Sequence, residues 1–216
     1  MLEELVAGIR LAQMWNVPRL FHYSLDHFKR QFDARKVHPV IVLAIARENG
    51  IPGLIKPAVE ALAEPAVSLH SWCCNNDTLR YTTQVDEVSA IARMRERLYA
   101  ARLSILDVPP AIHGKDCADV GGCGMVWEHY WHTRVGKKIR RLFDGAVSNQ
   151  LWFIRSDILR TQIPGMRQSC STMTVEKVGA HSCWYVDRQI IDSAIEYLIV
   201  DERVPNWHVG LSSDSN

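Results

Sequence analysis

The sequence contains no apolar run approaching the roughly 18 residues that cross a bilayer. Nor does it have an excess of charge of either sign, since 25 basic side chains face 24 acidic ones for a net +1. So even a balance offers no whole-molecule attraction for nucleic acid or an anionic membrane. Phosphate-binding loops, nucleophile elbows, dinucleotide fingerprints and kinase signatures are all missing. Gly121-Gly122-Cys123-Gly124 is glycine-rich but follows no predicted strand, so it does not read as a phosphate cradle. No segment alternates with period two, which argues against a sheet. The opening Met-Leu-Glu-Glu places acidic residues where a secretory leader carries basic ones, and an intracellular chain, cytoplasmic or nuclear, is expected. Cysteine is sparse at six residues in 216, too thin for a disulfide scaffold, so thiols or metal ligands are expected.

What is present is ordinary globular material, 47% apolar and 23% charged, with seven tryptophans. Residues 5–28 recur as 39–62, 34 positions on: Leu11-Ala12 matches Ile45-Ala46, and Asn16-Val17-Pro18 matches Gly50-Ile51-Pro52. Asn16 and Gly50 suit the left-handed position that ends a helix, and Pro18 and Pro52 suit the first turn of the next. Each unit therefore reads as helix, break, helix. Leu5, Ile9, Leu11, Ala12 and Trp15 are expected on one buried face, and Val40, Leu43, Ala44 and Ala46 on its counterpart. The period equals that of tetratricopeptide repeats, but that family's Trp/Gly/Tyr pattern is missing.

Beyond a polar loop with Ser68, His70 and Asn75-Asn76, a helix is predicted from about 83 to 105, with Arg93, Arg95, Glu96, Arg97 and Arg102 on its polar side. Asp107-Val-Pro-Pro110 stops it. Further helices are predicted over about 124–143, 148–162 and 183–199. The fold class is all-α: tandem helical hairpins over 1–66, a helical domain over 67–205 and a polar tail over 206–216.

The candidate site is His113, Cys117, Cys123 and Cys183, a donor set suited to one structural zinc, which favours four tetrahedral N/S ligands. Cys170 and His181 are substitute ligands. The plainer reading is that these are small buried thiols. Glu128 and His132, one turn apart, form a second carboxylate–imidazole pair, but di-metal bundle sites take ligands from four helices. A solvated polar face is the simpler account. Lys137-Lys138-Ile139-Arg140-Arg141 could attract phosphates, yet a cationic helix C-terminus explains it as well. Trp127 and Trp131 should share a buried stripe, with Trp152 packing from the next helix. The vicinal Cys73-Cys74 beside Trp72 matches no spacing rule.

Residues 5–20 resemble the closing helices of a BTB/POZ domain. His38-Pro-Val-Ile-Val-Leu-Ala-Ile-Ala-Arg47, Ile55-Lys-Pro-Ala58 and the Cys117, Cys123, Trp127, Trp131, Cys183 arrangement resemble the C-terminal region of basidiomycete BTB/POZ-domain proteins. The likeness spans about 4–200 and implies a non-catalytic protein–protein interaction module. The BTB strand-and-helix core has no counterpart here, and the family's dimerisation and cullin docking rest on that core. Two other classes compete: a small zinc enzyme using the Cys/His cluster, and a nucleic-acid-associated factor using the basic helix.

Overall fold

Leu2–Met14 (α1) and Pro18–Asp33 (α2) form one hairpin, and Pro39–Glu48 (α3) and Pro52–Leu62 (α4) form the second. The breaks fall where the repeat places them, with Asn16 at φ 51° and Gly50 at φ 60°. Val17 N–H donates to Ala12 O at 2.8 Å, and Ile51 N–H donates to Ala46 O at 2.7 Å. Both turns are therefore Schellman closures that satisfy the last helical carbonyls locally. Pro18 and Pro52 then open the next helices, where a missing N–H costs little. A third such closure, with Arg35 at φ 55° and Lys36 N–H on Gln31 O, ends α2.

The computed structural model describes residues 2–64, 67, 85–143 and 151–200, all-α, with no strand among the described residues. The polar loop with Ser68 and His70, the Cys73-Cys74 pair and the 206–216 tail lie outside them. After α4 come Val85–Ser104 (α5), Val120–Tyr130 (α6), a π turn at Trp131–Val135, and Gly136–Phe143 (α7). Leu151–Leu159 (α8), Gln168–Gly179 (α9), a 3-10 turn at Ser182–Tyr185 and Val186–Val200 (α10) complete the order. No described helix is long and apolar enough to cross a membrane.

The chain divides into two compact units. The first holds α1–α4, α5 up to Ile91 and α10 from Ser193; the second runs through 92–192. In the first, Val6, Ile9 and Ala12 are the buried positions of α1. Leu11 and Trp15, expected on that face, are 39% and 67% exposed, because Trp15 falls in the turn and Leu11 lies about 100° or more round the helix from each residue of the buried row. Helix α3 buries Val40, Leu43, Ala44 and Ala46 as expected, and Val42 and Ile45 as well. It is apolar on nearly every side, the pattern of a central helix. Arg47 at its end is buried and forms an ion pair with buried Glu87.

In the second unit, Cys123, Trp127, Trp131, Val135 and Ile139 are all buried at a constant interval of four. At about 100° per residue, such a row drifts about 40° per step and about 160° over its length. The π turn, where Gly136 N–H reaches back to Trp131 O, inserts about one extra residue and cancels most of that drift. Cores of tryptophan follow from it: Trp127 and Trp131 lie 5.3 Å apart by ring centroid, and Trp131 and Trp184 6.2 Å. Trp152 does not join them; it is 43% exposed and stacks on Phe153. Arg102, assigned to the polar side of α5, instead holds Asp187 through contacts of 2.9 and 3.1 Å. Burial pushes the Asp187 carboxyl above its ordinary range, against the pull of Arg102.

Helix α9 was not among the predicted elements. Its Ser, Thr and β-branched residues are weak helix formers in isolation. Tertiary contacts hold it: Cys170, Ser171, Thr174, Val175 and Val178 are all buried.

Candidate metal centre

The loop between α5 and α6 is tied down from two sides. From α6 and the π turn, Trp127 Nε1 donates to Pro109 O at 2.6 Å and Trp131 Nε1 to Leu106 O at 3.3 Å. From α9, Thr174 Oγ1 accepts from Ile112 N–H at 2.8 Å and donates to Ile112 O at 3.1 Å. Asp116 accepts from Ser169 Oγ at 3.0 Å and pairs with Arg167 at 3.1 Å. These contacts, the Ser169 hydrogen bond first, hold the Asp116 carboxyl below its usual range. Asp119 caps α6 by accepting from Gly122 N–H at 2.8 Å, which sets Cys123 in the first turn.

Within this frame His113, Cys117, Cys123 and Cys170 converge, their ligand atoms all within 4.8 Å of one another. Cys117 Sγ lies 3.8 Å from His113 Nδ1 and 3.8 Å from Cys123 Sγ. A tetrahedral zinc with ordinary bond lengths would put two sulfurs about 3.8 Å apart and a sulfur and nitrogen about 3.6 Å apart. The donor set suits zinc, and these two distances match its spacing. Cys123 and Cys170 are buried, whereas His113 and Cys117 are half-buried.

The thiols are not equivalent. Desolvation, then hydrogen bonding with Cys170 and Cys123, pushes Cys117 up to about 11. The Gly114 N–H, 3.3 Å from Cys170 Sγ, holds Cys170 below its ordinary value. A cation is what would let neighbouring thiols ionise together. A Cβ at Gly114 would stand 2.7 Å from Asp116 Oδ1 and 2.8 Å from Ser169 Oγ, so the Asp116–Ser169 contact would have to shift.

Of the four ligands expected, three come together, and the fourth place is taken by Cys170. Cys183 lies outside the group, in the 3-10 turn, with its N–H on His181 Nδ1 at 3.2 Å and its side chain packed on the apolar core. Burial raises its thiol. Cys170 could be found from sequence only as one more cysteine, since the helix that aims it was not legible. His181 is a turn cap and not a ligand in the group. Glu128 and His132 are an exposed pair 3.8 Å apart. In the basic run, Lys138 forms an ion pair with Asp157.

No family model matches the chain, and neither a curated protein nor a solved structure does.

Proposed function

We propose that this chain is a non-catalytic protein–protein interaction module, of the BTB/POZ-associated kind its helical patterns resemble, whose second unit is fastened by one structural zinc. The ligands are His113, Cys117, Cys123 and Cys170. The observation that carries the reading is the convergence of these four donors from three separate stretches, a loop and the first turns of α6 and α9. Four protein ligands fill a tetrahedral shell, whereas a catalytic zinc keeps one position for water. The clamp would do for this unit what a larger core does elsewhere, fixing a long loop against two helices.

X-ray absorption at the zinc edge tests it on the purified protein. Three sulfur and one nitrogen neighbours, with about one zinc per chain, are expected. A shell containing an exchangeable oxygen would favour the small zinc enzyme instead. Absence of metal from protein purified without chelator would remove the clamp.

A further inference from the structure

A cleft of about 810 Å³ opens along α6, the π turn and α7. Its cations are Arg134, Lys137, Lys138 and Arg141, and no carboxylate lines it. Lys138 is engaged by Asp157, whereas Arg134, Lys137 and Arg141 make no ion pair with another described residue. The same cleft has an apolar side of Met125, Val126, Tyr130 and Pro164. Met125 is 69% exposed, and a flexible exposed methionine is well suited to an adaptable contact.

The π turn makes this a single surface. On an uninterrupted α-helix Met125 and Arg141 would lie about 160° apart, and one inserted residue brings them to about 60°. Thr133, inside the turn, also lines the cleft and donates its hydroxyl to His129 O at 2.7 Å. One phase shift thus serves two faces: it keeps the tryptophan row buried and sets the apolar and cationic ends of the cleft side by side.

We infer that this cleft docks an acidic peptide segment of a protein partner, building on the interaction-module reading above. Its carboxylates would meet Arg134, Lys137 and Arg141, and an apolar side chain would sit against Met125 and Tyr130. Charge complementarity favours an anion. A nucleic acid fits less well, because phosphate binding draws its affinity from many cations along a track, and the chain as a whole carries only +1. For base stacking the cleft's lining offers Tyr130 and the imidazole of His129, short of the succession of rings that holds a single strand.

Fluorescence anisotropy with a labelled hexapeptide of repeated Asp-Glu-Leu tests this on the full chain, beside the neutral Asn-Gln-Leu version and an oligothymidylate of similar length. The acidic peptide should bind and the neutral one should not. Binding should weaken on going from about 50 to about 200 mM salt. Lys137→Glu with Arg141→Glu should weaken it about tenfold or more, and Met125→Ser should weaken it with the charges intact. No binding at about 1 mM peptide, equal binding of the two peptides, indifference to both variants, or tighter binding of the oligonucleotide would overturn the inference. The salt series on the parent stands even if a variant folds poorly. Zinc content measured in the same samples reports the clamp separately, so the cleft and the metal centre succeed or fail independently.

Discussion

In the first unit each hairpin closes on itself. Asn16 and Gly50 turn the chain, Schellman hydrogen bonds satisfy the helix ends, and Pro18 and Pro52 start the next helices. The instructions are read within six residues of where they act. In the second unit the same distance along the chain decides little. The loop from Leu106 to Asp119 is shaped by partners brought from far off, the indoles of Trp127 and Trp131, Thr174 of α9 and the sulfur of Cys170. The contrast is between structure stored in local backbone chemistry and structure stored in convergence. It also locates vulnerability: a locally closed hairpin loses one turn when one residue changes, whereas a converged site loses all its partners together.

That difference can be broken most sharply by removing the proposed zinc. Chelation should release the loop and the first turns of α6 and α9, seen as lost amide protection there, with α1–α4 unaffected. The expected cost to the second unit is about 3 kcal/mol or more, since ligand binding to the folded state alone is stability. Uniform loss of protection across both units would erase the contrast. Next in size is Trp131→Ala, which empties a fully buried site at the centre of the aromatic core. Chemical denaturation should report about 3–5 kcal/mol.

Asp187→Ala would leave Arg102 unpaired beneath a largely buried position. A loss of about 3 kcal/mol is expected from the denaturation midpoint. A change under about 0.5 kcal/mol would mean that Arg102 reaches water instead. The turns of the first unit give smaller and opposite effects. Gly50→Ala forces an alanine to φ 60° and should cost about 1 kcal/mol, whereas Asn16→Gly should gain a few tenths. Thermal melts of both variants, read together, would sharpen the claim that the repeat's symmetry lies in its turns.

Legibility in the sequence follows the same division. The all-α class, the 34-residue repeat, the breaks at Asn16 and Gly50 and the prolines opening α2 and α4 were readable, because each depends on a residue type with one dominant backbone preference. The second unit was readable in part. His113, Cys117 and Cys123 are close in sequence, and the two central cysteines flank Asp119, the cap of α6, and the glycine pair of its first turn, so their proximity could be anticipated. Cys170 could not be chosen over Cys183, because α9 is built from residues that favour helix only when packed. The π turn did leave a trace that went unread: five buried residues spaced by four, from Cys123 to Ile139, cannot share one face of a straight α-helix. Trp152 was misplaced for a related reason, since a tryptophan's size says nothing about which side of its helix is covered.

The account turns on which cysteine completes the shell, and zinc stoichiometry by native mass spectrometry decides it on three proteins. The parent should carry about one zinc, Cys183→Ser should carry the same, and Cys170→Ser should have lost it. Zinc retained in Cys170→Ser and lost in Cys183→Ser would contradict the geometry of the centre, and no zinc in any of the three would contradict the clamp itself.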